Sequence, residues 1–151
     1  MKDRDILTNK RQFMGRWLSI ESKLAEGRII PFNRPTEAQK QALEALENVK
    51  VKLAVFLKSR QVYMSTVVAG STFHDHCAAR GPLRTMVACD HGDTTDSLLR
   101  KYKTFSERLP ERIANQLAIR INHVKREVHW DRGGTVKLAT VGGSSLAKSQ
   151  T

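Results

Sequence analysis

Three observations predict an α/β fold. An apolar, β-prone run at residues 51–57, VKLAVFL, passes through a short polar segment into a helix-type run that opens at Ser65-Thr66. A second β-prone run, RTMVAC at 84–89, is again followed by a helical pattern. The resulting order of helix, strand, helix, strand, helix is that of a sheet with right-handed crossovers. Finally, apolar residues alternate with polar ones on both sides of Asp131-Arg132-Gly133-Gly134, which predicts a hairpin at the C-terminal end.

Each element has its own signal. Phe13, Trp17, Ile20 and Leu24 share one helical face, so residues 4–26 read as a single helix ended by Gly27. Two prolines and an Asn-Arg pair make 28–35, RIIPFNRP, an extended loop. Thr36 and Gln39 form a T-x-x-Q capping box that opens a second helix, with Leu43 and Leu46 facing inward. The run 51–57 is apolar on both faces apart from Lys52, as a central strand of a parallel sheet requires. The following helix, 65–79, is stopped by Gly81-Pro82. Leu98, Leu99, Tyr102 and Phe105 form the apolar side of a helix at 94–109, which Asp93 is placed to cap. Pro110 opens a short helical turn to Leu117. Ile119, Ile121, Val124, Val128 and Trp130 predict one long or bulged strand, and Val136, Leu138 and Thr140 the returning one. A Gly/Ser-rich tail occupies 142–151.

Size and composition narrow the class. The 151 residues suffice for one domain with a core, and 40% hydrophobic residues is an ordinary globular value. No apolar run approaches the roughly 18 residues of a membrane span. The charged start, MKDRDILTNKRQF, has no signal-peptide core, so a cytosolic location and no membrane partner are expected. Two cysteines, Cys77 and Cys89, are too few for a disulfide framework and read as reduced thiols. The formal charge of +11 predicts contact with a polyanion, since each phosphate contact releases counterions.

The segment between 57 and 67 carries the chemistry. Strand, polar loop and helix start, with basic residues and hydroxyls at the turn, is how a phosphate-binding loop is built. Lys58 and Arg60 supply positive charge, and Ser65 or Thr66 supplies a hydroxyl for a Mg²⁺ ion. The dipole of the helix from Ser65 onward favours an anion. The same residues also fit a plain strand-to-helix turn capped by Ser65. The usual loop ends Gly-Lys-Ser/Thr, and here Tyr63-Met64 stand at the Gly-Lys positions.

The set RIIPFNRPTEAQ, FLKSRQVYMSTVVAG and TMVACDHGDTTDSLLRKYKTFSERLP resembles the start of a bacteriophage terminase large subunit, the ATP-driven DNA-packaging motor. That family's phosphate loop often has the form K-x-R-Q-x-G-x-S/T-T, which Lys58, Arg60, Gln61, Ser65 and Thr66 match. Pro31-Phe32 and Gln39 stand where the family carries a Pro-Phe and a Gln that contact adenine. Met86 to Asp90, Leu109-Pro110, the hairpin and the tail also follow the family order, so the likeness covers nearly the whole chain. It implies a partial RecA-like P-loop NTPase sheet with flanking helices, an N-terminal helix and a C-terminal β-hairpin. Residues 1–50 would carry the N-terminal helices and adenine-side segment. Residues 51–151 would be an incomplete ATPase core that stops before the acidic, Mg-binding strand. The implied cofactors are ATP and Mg²⁺. The implied partners are double-stranded DNA and, in a motor, the portal, the small terminase subunit or other copies of the chain, in the cytoplasm of a bacterial host. Tyr63 replaces the loop glycine, and no Asp-Glu strand follows, so ATP binding is expected without hydrolysis by the chain alone.

Other constellations stand beside this one. His74, His76, Cys77, Cys89 and His91 lie close in sequence but read as scattered over separate elements rather than as a zinc site. Gln39 serves the capping box and, by resemblance, the adenine edge. Arg100, Lys101, Lys103, Lys125 and Arg126 form basic clusters for a DNA backbone or a solvated face. The alternative to a motor fragment is a non-catalytic basic module that binds DNA or a partner. A helicase-type nucleotide domain ranks lower, because its loop keeps Gly-Lys-Thr.

Overall fold

A computed structural model describes residues 7–21, 28–56 and 63–141. The described residues form a mixed α/β structure of five helices and two sheets. They belong to two compact units, Met1–Ala78 and Ala79–Thr151.

In the first unit α1 (Lys10–Trp17) starts at Asn9, whose side chain accepts the Gln12 amide. It ends at Leu18, which is extended, and β1 (Ser19–Glu21) pairs antiparallel with β2 (Ile29–Pro31). The single helix expected over 4–26 is therefore wrong within the described residues. The apolar spacing from Trp17 to Ile20 suits a helix, but Ile20 is taken into a ladder opposite Ile30 instead. Tertiary pairing overrides a local period here. Leu24 and Gly27 lie outside the described residues. Part of the loop expected at 28–35 is accordingly strand β2.

Helix α2 (Glu37–Glu47) has the capping box read from sequence. The Thr36 hydroxyl accepts the Gln39 amide at 3.4 Å, and the Thr36 amide donates to Gln39 Oε1 at 2.9 Å. Residues 51–56 are not a strand, which corrects the central strand expected there; Leu57 lies outside the described residues. Val51, Leu53 and Val55 are exposed, so no sheet buries them. β-propensity describes what fits a pleated, half-buried surface, and without a neighbour it makes no strand.

Helix α3 (Met64–Ala78) is the centre of this unit, with ten buried positions. At Gly70 an added Cβ would stand 2.8 Å from Met14 Cε and 3.0 Å from Leu18 Cδ1, so α1 lies close on α3 there. Phe13 fills the space beside it. Its ring meets Trp17 and His74 edge-on, with centroids 5.4 and 5.1 Å apart, and lies 6.2 Å from Phe73.

The second unit holds β3 (Arg84–Cys89), α4 (Gly92–Glu107), α5 (Glu111–Leu117), β4 (Arg120–Asn122), β5 (Glu127–His129) and β6 (Thr135–Thr140). The strand order is β3-β6-β5-β4. β3 and β6 are parallel and the other pairs antiparallel. Tyr102, Phe105, Leu98 and Leu99 of α4 are buried, as are Ile113 and Leu117 of α5 and Val128, Val136 and Leu138 of the sheet.

The single strand expected over 119–130 is two strands joined by a turn at 123–126. Asn122 Oδ1 accepts the Lys125 amide at 3.0 Å, and Arg126 takes a left-handed φ of 53°. A short polar side chain that bonds its own backbone makes a turn inside a β-prone run. The tip residue, Val124, is 95% exposed. The return turn closes on Gly133, at φ 84°, where a Cβ would press on Pro82. Asp93 does not cap α4; His91 is the N-cap, and Asp93 lies in the first turn, where its charge suits the helix dipole.

Candidate functional site

Two places gather polar chemistry, one in each unit. The first is the start of α3, which the sequence singles out. Lys58, Arg60 and Gln61 lie outside the described residues. Tyr63, next to the helix, holds φ at 50°, the left-handed region that favours glycine. Its carbonyl accepts the Thr66 amide at 2.9 Å and the Val67 amide at 3.2 Å, so the tyrosine backbone initiates the helix. Of the two hydroxyl residues in the first turn, Ser65 is exposed and Thr66 is buried, with 2% of its surface accessible. Of the two expected Mg²⁺ ligands, Ser65 is therefore the accessible one.

The expected base-binding residues are buried. Phe32 is 6% exposed, and its amide continues the β1–β2 ladder to the Leu18 carbonyl at 2.9 Å. Gln39 is 5% exposed, with its carboxamide oxygen committed to the capping box. Gln39 and Ser65 stand at the starts of two helices, α2 and α3, that pack together.

Further along α3 lies a polar cluster that no sequence pattern announces, because its members are 61 and 65 positions apart. Lys10 Nζ donates to Ser71 Oγ at 2.9 Å and pairs with Asp75 at 2.9 Å. His74 Nε2 lies 2.9 Å from the Leu7 carbonyl, and its Nδ1 is 3.5 Å from Asp75. Burial alone would raise the Asp75 carboxyl pKa, but His74 and Lys10 outweigh it and hold the group below the ordinary 3.8. His76 is pushed below 6.5 by burial, against the opposing charge of Asp75. A groove of about 530 Å³ opens beside the cluster, between the start of α1 and the end of α2, with Arg11 and Glu47 also lining it.

The second place is the C-terminal end of the parallel strands β3 and β6. Thr95 of α4 and Thr140 of β6 share a hydrogen bond of 2.8 Å between hydroxyls. Arg126 reaches in from the β4–β5 turn, donating to Thr140 Oγ1 at 3.3 Å and pairing with Asp96 at 3.0 Å. In open α/β sheets this end of the strands is where ligands bind.

The expected basic clusters divide on inspection. Arg100, Lys103 and Lys125 are exposed, with Lys103 3.7 Å from Glu107 on its own helix. Lys101 is half-buried, and Arg126, also half-buried, is paired with Asp96. Among the described residues, no three His, Cys, Asp or Glu side chains are grouped to hold a metal ion, and Cys77 and Cys89 are buried free thiols. No helix of the described residues is long and apolar enough to cross a membrane.

No protein-family model matches the chain, and no similar curated protein is found.

Proposed function

We propose that the chain is an ATP-binding part of a DNA-packaging motor of the terminase-large-subunit type, with a partial RecA-like sheet. Lys58, Arg60 and Gln61 would hold phosphates, Ser65 a Mg²⁺ ion, and Phe32 and Gln39 the base. The observation that supports the reading most is Tyr63. It stands where the loop pattern has glycine, and its backbone takes the left-handed conformation that glycine would supply. The tyrosine therefore keeps a glycine-like conformation at the start of the helix. The activity proposed for these residues is nucleotide binding.

The test is a titration of the 151-residue chain with Mg-ATP, beside Lys58→Ala. Saturable binding that the variant loses supports the reading. A folded sample that binds no nucleotide refutes it.

A second reading, a non-catalytic basic module for DNA, is favoured by the exposed Arg100, Lys103 and Lys125 and by the charge of +11. A steep fall of DNA affinity with salt, in a chain that ignores ATP, selects it.

A further inference from the structure

We propose that the chain takes nucleoside triphosphates without distinguishing adenine from a 6-oxopurine, because Gln39 commits its acceptor to the backbone of its own helix. This rests on the nucleotide reading and broadens its substrate from ATP to purine nucleoside triphosphates.

Adenine carries an amino donor at position 6, where guanine and hypoxanthine carry a carbonyl acceptor. A side-chain amide recognises adenine by using both ends at once. Its oxygen accepts from the 6-amino group while its nitrogen donates to N7. Such a bidentate pair discriminates between bases by roughly 5- to 150-fold. It requires both ends of the amide to face the base together.

Gln39 is not held that way. Its Oε1 accepts the Thr36 amide at 2.9 Å, and its own backbone amide donates to the Thr36 hydroxyl at 3.4 Å. This reciprocal box closes the start of α2 and turns the carboxamide oxygen back onto the chain. Oε1 has a second lone pair, but Gln39 is only 5% exposed, so an adenine amine reaches it by displacing Thr36. That exchange replaces one N–H···O bond with another and strips the partner from the Thr36 amide, so it yields no net selectivity. Phe32, 6% exposed, supplies apolar contact, which the face of any base meets. Neither of the two residues assigned to the base therefore tells the purines apart.

The test titrates the full chain with Mg-ATP, Mg-GTP and Mg-ITP. ITP carries the 6-carbonyl without the 2-amino group of guanine, so it isolates the edge in question. The three nucleotides should compete for one site, with dissociation constants for ATP and ITP within ~5-fold of each other. A larger preference for ATP overturns the proposal and leaves the nucleotide reading standing. A folded chain that binds none of the three refutes the nucleotide reading, and the proposal with it. A second measurement follows hydrogen exchange at the Thr36 amide. Its protection should be the same with saturating Mg-ATP as without. Exchange that quickens with Mg-ATP and not with Mg-ITP shows that adenine has taken Oε1, and also overturns the proposal.

Discussion

The Tyr63 carbonyl accepts the Thr66 amide at 2.9 Å while Tyr63 itself sits at φ 50°. A left-handed residue with a side chain costs roughly 1–2 kcal/mol, because Cβ crowds the following carbonyl. Helix α3 is thus started by a residue whose backbone acts as glycine and whose ring is half-buried. Tyr63→Gly removes the strain, and its gain offsets the lost ring contacts, so thermal stability should stay level or rise. Tyr63→Val adds β-branching in the same conformation and should cost about 1–3 kcal/mol. Denaturant melts of the two variants check this. Equal losses in both would mean that the ring, not the backbone, holds the position. ATP titration of Tyr63→Gly asks separately whether the ring covers the phosphate site. Tighter binding means that it does, and unchanged affinity means that it does not.

The close approach at Gly70 gives a sharper packing test. Alanine there gains helix propensity of about 1 kcal/mol and needs the flexible ends of Met14 and Leu18 to give way, so Gly70→Ala should be nearly neutral. Gly70→Ile adds three further carbons beside Met14 and Leu18 and should destabilise by about 1–3 kcal/mol. Met14→Ala opens that space, so the double variant should recover part of the loss, a coupling that denaturant melts measure directly.

What was legible in the sequence was local. The Thr36–Gln39 capping box, the strand at 84–89 and the end of α3 before Gly81-Pro82 follow from residues within a few positions of one another, and the structure has all three. What failed depended on distant partners. Residues 51–56 have the composition of a buried strand but no neighbour to bury them, and the apolar stripe through Ile20 was diverted into pairing with Ile30. At the candidate site the glycine-like position of Tyr63 was visible from its place in the loop. The Lys10–Asp75 pair and the meeting of Arg126 with Asp96 were not, since charge and periodicity carry no information about contacts made 30 or 65 residues away.

The ionisable groups on α3 predict a two-step acid response. The folded pKa of His76 lies below its unfolded value of 6.5, so the unfolded chain binds more protons between the two. Stability from the neutral ring is fully present above 6.5 and declines as the pH falls toward the folded pKa. Asp75 is also depressed, so its contribution is present above 3.8 and is lost as the pH falls through a still lower value. The melting temperature should therefore begin to fall just below pH 6.5 and fall again below pH 4. His76→Gln should flatten the first step alone, and Asp75→Asn the second. A first step that persists in His76→Gln assigns it to another group.

Lys125 and Arg126 are neighbours that differ in role, which separates DNA contact from folding. Lys125 is exposed, whereas Arg126 is tied to Asp96 at 3.0 Å and to Thr140 at 3.3 Å. If the basic face meets a DNA backbone, Lys125→Ala should leave the melt unchanged and reduce the slope of log affinity against log salt by about one. Arg126→Ala should instead lower stability, and a double-mutant cycle with Asp96→Ala should return a coupling of only ~0.2–1 kcal/mol, because both side chains remain more than a third exposed to screening water. An Arg126→Ala chain that melts like wild type yet loses DNA affinity would reverse the assignment and make Arg126 the contact residue. That outcome would require the Asp96 pair to open when the phosphate arrives, and Asp96→Asn would then strengthen DNA binding.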